Sequence, residues 1–284
     1  MRKVHIIYLL VAIAIIGALY FLGNTRPPKA GEQGTANRPM QEGAQQHHAT
    51  AASTDSIINA ARTQLPAHAV TEIKAIEDQL SSIQDSSKMA PIFTELAKSW
   101  IQHKQLPVAA YYHAQAAKLE NSEKKLNFAG QFFLDLIHDT HAESVRMWEA
   151  EQAISCFQQS LELNPDNDTT KLALAATYIE GVGETMQGVQ MLLGITREKP
   201  DNIPANLMLG RLSVQSGQYD KAIQRFETVL KQEPKNTEAL YFLAESYKGK
   251  GNKDKAIELF EECKRIVNKP EFSNDIDNYI KSFK

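Results

Sequence analysis

The chain has few of the residues and patterns that support covalent cross-links, metal sites or catalysis. Its 284 residues include only 2 cysteines, Cys156 and Cys263. They lie far apart without a CxxC pairing, which argues against a disulfide framework or a structural metal site. The sequence also lacks a glycine-rich phosphate loop, an HExxH helix and a nucleophile elbow. We therefore predict no catalytic residue, no cofactor-binding residue and no cofactor, and a protein that is not an enzyme.

An excess of basic charge is missing as well. The formal net charge is -3, whereas a nucleic-acid-binding surface is normally basic. We therefore predict no nucleic-acid partner. The hydrophobic content of 43% and charged content of 23% are typical of a soluble domain with an apolar segment attached.

One cluster of histidines and carboxylates has the spacing of metal ligands. His138 and His141 are three residues apart and lie close to Asp135, Asp139 and Glu143. Such clusters are far more common as solvated surface turns than as metal sites, so we predict no metal ligand here. Each cysteine is predicted to be a small packed side chain, because neither has an electropositive setting with a nearby histidine.

The N-terminal part contains one long apolar run. Ile6–Leu22 carries no charged residue, and its length of about 26 Å as a helix nearly matches a bilayer core of about 30 Å. We predict a short tail at 1–5 and a transmembrane helix at 6–22 that contacts the lipid bilayer. The alternative is a cleaved signal peptide, but the run exceeds the usual length and no A-x-A site follows.

The orientation of this helix is indicated less directly. Basic residues lie on both sides of it, so the positive-inside count is nearly balanced. Because a very short N-terminal tail usually stays in the cytosol, we favour translocation of the rest of the chain.

Residues 23–55 are rich in Gly, Pro, Gln, Asn and Ala. Such a composition buries little apolar surface, so we predict a flexible linker.

An internal repeat occupies the C-terminal part of the chain. Ile203–Asn236 and Thr237–Pro270 align without a gap at a period of about 34 residues. The matched pairs are Leu209 with Leu243, Gly210 with Ala244, Gly217 with Gly251, Ala222 with Ala256, and Phe226 with Phe260. The small residues predict close crossings of antiparallel helices, and the glycines after the first helix predict positive-φ turns. Pro234 cannot continue a helix and marks the end of its unit.

This pattern resembles the tetratricopeptide-repeat (TPR) family, whose motif is a helix–turn–helix of about 34 residues. The resemblance implies an all-α fold, a right-handed TPR superhelix of about five units behind a single N-terminal transmembrane helix. We assign the units to residues 90–121, 122–167, 168–202, 203–236 and 237–270. The third unit has Gly188 in place of the small alanine and one extra residue in its turn. The second unit is elongated, and in the first Pro107 replaces the usual glycine turn.

Two amphipathic segments flank the repeats. Residues 56–89 are predicted to form helices, one of them with an apolar stripe from Val70 to Ile83 at three- and four-residue spacing. This stripe covers the first repeat or pairs with another copy of the chain. Residues 271–284 carry Phe272, Ile276, Ile280 and Phe283 and are predicted to form a capping helix, because a terminal repeat exposes an apolar face.

The TPR resemblance also implies a partner-binding surface. In that family the first helix of each unit lines the concave face, which receives a peptide or a helix. The corresponding residues here are Leu172, Ala176, Ile179, Leu207, Arg211, Val214, Tyr241, Glu245 and Lys248. Their apolar share suits an amphipathic segment, although they could equally pack between neighbouring helices. The Lys, Asn and Arg clamp of the chaperone-tail receptors is not present at these positions.

The layout of one membrane helix followed by repeats resembles bacterial inner-membrane proteins with a periplasmic TPR domain. It implies a membrane-tethered scaffold or adaptor in an envelope complex for protein translocation, secretion or envelope assembly. Its partners would be other proteins of that complex, and a homo-oligomer is compatible with the sequence. The alternatives are a self-assembling structural subunit and a docking receptor whose repeats face the cytosol.

Overall fold

The computed structural model describes residues 50–83, 85 and 88–284, and over these residues it is entirely helical. The all-α prediction is therefore confirmed for this part of the chain. The predicted tail at 1–5, the transmembrane helix at 6–22 and most of the linker at 23–55 lie outside the described residues. Within the described ranges, no helix is both long and apolar enough to span a bilayer.

Thirteen α-helices and one π-helical turn account for most of the described ranges. Their bounds are α1 Thr54–Thr63, α2 Ala67–Ser82, α3 Met89–Gln102, α4 Leu106–Glu120, α5 Glu123–Asp139, α6 Glu143–Leu163, α7 Asp168–Ala176, the π turn Thr177–Gly181, α8 Thr185–Glu198, α9 Ile203–Gln215, α10 Tyr219–Gln232, α11 Thr237–Gly249, α12 Lys253–Val267 and α13 Pro270–Phe283.

The helices from α3 to α12 form five consecutive pairs: α3–α4, α5–α6, α7–α8, α9–α10 and α11–α12. The two helices of each pair pack against each other, and the second helix of each pair packs against the first helix of the next. First helices also contact one another, as α9 does α11. The pairs therefore stack side by side, with the first helices α3, α5, α7, α9 and α11 presenting one face and the second helices the other.

Asparagine caps set the start of several helices. Asn167, Asn202 and Asn236 each follow a proline by two residues, and each side chain accepts a hydrogen bond from the backbone N–H three residues on. This contact satisfies a donor that the first helical turn leaves unpaired. Asn252 caps α12 in the same way. The Pro-x-Asn sequence therefore ends one pair and starts the next.

Glycines close the turns inside the last two pairs as predicted. Gly217 and Gly251 adopt φ values of 70° and 80°, which cost little without a Cβ. In the first pair, Lys104 takes the positive φ instead, and Pro107 lies in the first turn of α4. A proline is tolerated there because its missing N–H would have no partner in the helix.

Small residues on the first helices receive aromatic rings from the second helices. A Cβ at Gly210 would lie 2.5 Å from the Phe226 ring, and a Cβ at Gly130 would lie 2.6 Å from the Phe157 ring. Both rings are fully buried. Glycine is therefore needed at these crossings because the rings occupy the space that a side chain would fill.

The elongated second unit consists of longer helices. Helix α5 has 17 residues and α6 has 21 residues. The added turns bury Ile137, Trp148 and Ala150, and Ala150 packs beside Gly181 of the π turn. The extension is therefore part of the core.

The chain before the repeats packs against the second helices. The Ala52 N–H donates to the Ser144 carbonyl at 2.9 Å, and Trp148 Nε1 donates to Thr54 Oγ1 at 3.0 Å. Helix α1 thus begins at Thr54, inside the segment predicted to be a linker. In α1, Nη2 of Arg62 donates to both carboxylate oxygens of Glu77 of α2, at 2.7 and 2.8 Å.

The two flanking amphipathic segments cover the ends of the stack. On α2, Ile73 and Ile76 are buried against a cluster that includes Leu96 and Trp100. The α2 stripe therefore packs on the first repeat within the same chain. On α13, Ile276 and Ile280 are buried against α11 and α12, with Phe272 and Phe283 beside them. Each end of the stack is thus closed by an additional helix.

Candidate partner-binding faces

The nine residues predicted to bind a partner all lie on first helices or on the π turn that continues α7. Each of them is half-buried. They belong to three consecutive pairs, and this burial leaves part of each side chain available for contact. Their neighbours differ from one helix to the next.

On α7 and its π turn, the three predicted residues point in two directions. Ala176 packs on the cluster of Leu134 and Ile137 from α5. Ile179 lies against α8, where a Cβ at Gly188 would be 2.5 Å from its Cγ1. Leu172 joins the same cluster as Ile179. These side chains therefore contribute to packing between helices as well as to the surface.

The π turn explains the two departures of the third unit. It takes up the extra residue predicted in this turn, since a π turn holds one more residue than an α turn. It also brings Ile179 and the Ala175 carbonyl so close to α8 that a Cβ at Gly188 would meet both, at 2.5 and 2.6 Å. Glycine replaces alanine at this position because the local geometry leaves no room for a methyl group.

A shallow groove separates the first helices of the third and fourth pairs. Its volume is about 210 Å³. Arg211 on its wall forms an ion pair with Glu238 of α11 at 3.2 Å. Two of the predicted residues, Ile179 and Arg211, therefore face the same groove. The lining consists of Ile179, Glu180, Met208, Arg211, Leu212 and Gln215.

The predicted residues of α11 are partly covered by α12 and by the capping helix α13. Lys248 donates a hydrogen bond to the Tyr279 hydroxyl and lies 4.3 Å from the centre of that ring, a cation–π geometry. Lys248 also pairs with Glu245 at 3.3 Å, and the other Glu245 oxygen is buried with no hydrogen-bond partner in the described part of the chain. Tyr241 packs on Phe260. The accessible part of the predicted face is therefore centred on α7 and α9.

A larger groove, which shares Leu212 and Gln215 of α9 with the first, was not predicted from the sequence. Its volume is about 890 Å³, with α8 and α10 as walls and α9 as floor. The sequence does contain one sign of this groove. Helix α8 has a row of apolar residues at i, i+3 and i+7, formed by Met186, Val189 and Leu193. The repeat motif predicts partner binding on the first-helix face alone.

The titratable groups that are most perturbed lie in the core. Burial raises the pKa of Cys156 and of Cys263 to about 11, so both thiols stay protonated at neutral pH. Burial also raises the pKa of Glu149 to about 7, and the nearby Thr140 hydroxyl opposes this shift. The hydroxyl donates to the Leu136 carbonyl at 3.0 Å, and neither Glu149 oxygen has a hydrogen-bond partner among the described residues.

The histidine and carboxylate cluster is dispersed around the ends of α5 and α6. His138 Nδ1 lies 3.7 Å from Glu180 of the π turn. Among residues 50–83, 85 and 88–284, no three His, Cys, Asp or Glu side chains come together in the manner of a metal site.

Comparison with known proteins agrees with this geometry. A family model described as tetratricopeptide repeat matches residues 213–272. No curated protein matches significantly. Among solved structures, a tetratricopeptide repeat protein from Parabacteroides merdae is 19% identical, with a TM-score of 0.50, over 69% of this chain and 75% of its own.

Two further solved structures are similar at lower scores. YrrB, described as a TPR protein with an unusual peptide-binding site, is 18% identical over 72% of this chain and 96% of its own, with a TM-score of 0.47. PilW, described as a type IV pilus biogenesis factor, is 18% identical over 64% of this chain and 79% of its own, with a TM-score of 0.48. At such identities a likeness concerns the fold alone. The chain contains tetratricopeptide repeats at residues 213–272, and helix pairs of the same helix–turn–helix form extend from Met89 to Val267.

Proposed function

We propose that the chain is a scaffold that binds a segment of a partner protein on the first helices α7, α9 and α11. The observation that carries this proposal is the groove between α7 and α9, which Ile179 and Arg211 line together. Apolar side chains of Leu207 and Val214 continue the same face toward α11. Half-buried apolar side chains with charges at intervals suit an amphipathic segment, whose apolar residues anchor it while its polar residues set the register.

We further propose that Ile6–Leu22 tethers this scaffold to a membrane, in a bacterial inner membrane with the repeats in the periplasm. The support is the uncharged apolar run and the short tail before it. In that position the chain would act as an adaptor in an envelope complex for translocation, secretion or assembly. A protease-accessibility assay on sealed membranes tests the orientation. Digestion of the repeats from the cytosolic side would instead support a cytosol-facing docking receptor.

Site-specific cross-linking in cells tests the binding face. A photo-reactive residue at Glu180, which is exposed and lines the groove, should form an adduct with a defined second polypeptide. The same residue at Lys231, which is exposed on α10 outside the groove, should give little of that adduct. Arg211→Glu should reduce the Glu180 adduct, because it reverses the charge in the groove and repels Glu238.

A matched variant separates this effect from loss of net positive charge. Arg197→Glu changes an exposed arginine of α8 that does not line the groove, and it should leave the adduct unchanged. Mass spectrometry of the adduct then identifies the second polypeptide. Adducts between two copies of this chain would support the self-assembling alternative, and equal adducts at Glu180 and Lys231 would rule out a binding site at the α7–α9 groove.

A further inference from the structure

The groove between α8 and α10 lies on the second-helix side of the third and fourth pairs and shares Leu212 and Gln215 with the α7–α9 groove. Its volume of about 890 Å³ is within the range of ligand-binding clefts in proteins. The α8 wall is apolar and the α10 wall is polar and basic. The two walls therefore differ in chemistry, which constrains what could bind between them.

The apolar wall is a second row of side chains on α8. Gly188, Leu192 and Ile195 form the buried face of this helix, whereas Met186 and Val189, followed by Leu193, line the groove. Met186 is 71% exposed, more than any other large apolar side chain in the described part of the chain. Methionine is common at peptide-binding surfaces because its flexible thioether adapts to its partner. The row has apolar surface that the described part of the chain leaves uncovered.

The opposite wall carries the positive charges of Lys221 and Arg225. No Asp or Glu among the described residues lines the groove. Arg225 Nη1 donates to Asn206 Oδ1 at 2.9 Å, and Asn206 is fixed by its own bonds to the Pro200 and Asn202 carbonyls. Burial lowers the pKa of Arg225, the direction expected for a partly desolvated guanidinium with a neutral hydrogen-bond partner.

Among the described residues, Arg225 therefore has a neutral partner but no acidic one. Of the other half-buried arginines in the described part of the chain, Arg62 and Arg211 pair with glutamates, whereas Arg146 forms no such pair. A partly desolvated guanidinium gains most from a carboxylate, because the charge-assisted hydrogen bonds are stronger than those to an amide.

We propose that this groove binds an acidic amphipathic helix of a partner protein, with its apolar side chains on α8 and its carboxylates on Arg225 and Lys221. The row from Met186 to Leu193 extends about 10.5 Å along α8. That is the length over which a partner helix presents apolar residues at i, i+3 or i+4, and i+7. The proposed occupant thus matches the groove in both length and charge.

The chain's own N-terminal segment is a poorer match for the same surface. Residues 1–49 carry more basic than acidic side chains, namely Arg2, Lys3, Arg26, Lys29 and Arg38 against Glu32 and Glu42. A basic segment would be repelled by Lys221 and Arg225. The charge of the groove therefore favours a partner protein over this segment.

Binding of designed peptides to the full chain in mild detergent tests the proposal. The probe is a labelled amphipathic helix of about sixteen residues, with leucines at the i, i+3, i+4 and i+7 positions and glutamates beside them. A second peptide replaces the glutamates by lysines, and a third scrambles the acidic sequence. Fluorescence anisotropy should show the acidic amphipathic peptide binding about tenfold or more tightly than the other two.

Variants of the chain locate the site. Lys221→Glu and Met186→Glu, both at exposed positions, should each weaken binding of the acidic peptide by about tenfold. Lys231→Glu, on α10 outside the groove, should not. Arg225→Glu should have a larger effect, and circular dichroism checks its folding. None of these residues belongs to the α7–α9 groove, so failure here leaves the proposed function intact.

Three results would overturn the inference. The first is binding of the acidic and basic peptides with equal affinity, and the second is no binding of the acidic peptide at about 100 µM. The third is a change of oligomeric state on Met186→Glu, measured by light scattering. That change would assign the groove to contact between copies of this chain.

Discussion

At the scale of single residues, the asparagine caps are the simplest features to test. Asn236 Oδ1 accepts the Ala239 N–H at 2.9 Å at the start of α11. Asn236→Ala leaves that donor without its partner, and we expect a loss of about 1 kcal/mol in the free energy of unfolding. Urea unfolding followed by circular dichroism measures it. Lys235→Ala, at the exposed position just before it, is the matched control. Equal effects of the two substitutions would show that the cap contributes nothing.

A second prediction at this scale concerns the buried carboxyl of Glu149. Its pKa is raised from 4.5 to about 7, so between these values the folded chain holds a proton that the unfolded chain has released. Stability therefore falls as pH rises from about 4.5 to about 7 and does not change further through this group above that range. The loss amounts to about 3 kcal/mol. Glu149→Gln removes the titrating group and with it this dependence of stability on pH.

The measurement is the difference in unfolding free energy between the Glu149→Gln variant and the wild type as a function of pH. We expect this difference to move in favour of glutamine by about 3 kcal/mol between pH 4.5 and 7.5. Glu151→Gln, at an exposed position on the same helix, should give a difference that is flat with pH. A flat difference for Glu149→Gln as well would contradict the proposed burial of a protonated carboxyl.

These residues differ in how far the sequence predicts them. The repeated Pro-x-Asn pattern marks the unit ends, and the positive φ of Gly217 and Gly251 follows from the motif spacing. Nothing in the pattern identifies Glu149, because a glutamate between Trp148 and Ala150 reads as an ordinary helical residue. Its burial depends on the extension of α6 packing between α5 and the π turn, and only the packing of those elements shows it.

At the scale of elements, the contact between the π turn and α8 explains a glycine in the middle of a helix. Gly188→Ala would place a methyl group 2.5 Å from Ile179 Cγ1 and 2.6 Å from the Ala175 carbonyl oxygen. Because a backbone atom is one of the two, the helices must separate, and we expect a loss of about 1–3 kcal/mol. Thermal and urea unfolding of the variant check this expectation.

The same helix provides a matched control. Gly194 also lies in α8, but a Cβ there would meet no atom within 4 Å. Gly194→Ala should therefore stabilise the chain by about 0.5–1 kcal/mol, through the higher helix propensity of alanine. Opposite signs for the two substitutions are the expected result. Two stabilising substitutions would mean that α8 does not approach the π turn closely.

The form of the third unit could be predicted only in part. Counting residues against the motif shows one extra residue near the turn and a glycine in place of alanine. The same count fits a longer loop or a π turn, since both add one residue. In the structure the extra residue lies in the π turn and not in a loop. Ile179 of that turn lies close to Gly188. A one-dimensional pattern does not contain that contact.

At the scale of the whole molecule, each pair contacts mainly its neighbours, so the stack depends on contacts between successive helices. The sequence predicts the stack well because a period of about 34 residues determines both the pairs and their order. The candidate faces are less predictable. The motif indicates which residues lie on the first helices, but α13 covers part of α11 and an additional groove opens beside α9.

The contacts before the repeats lead to a prediction about how much of the chain forms a stable unit. The Ala52–Ser144 and Thr54–Trp148 hydrogen bonds join the start of the described chain to α6, and the Ser53 side chain caps α1. A fragment of residues 48–284 keeps them, whereas one of residues 56–284 loses all three. We expect the longer fragment to be more stable by about 2–3 kcal/mol, since each contact contributes about 1 kcal/mol.

Urea unfolding of the two fragments measures this difference, and light scattering of the longer one tests self-assembly at the same time. As an adaptor, the 48–284 fragment should be monomeric at micromolar concentration, because the α2 stripe already packs on α3 within one chain. Equal stability of the fragments would mean that the hydrogen bonds made by Ala52, Ser53 and Thr54 do not stabilise the folded chain. A stable dimer would instead favour the structural subunit, and Met186→Glu and Arg211→Glu would then show which of the two grooves forms its interface.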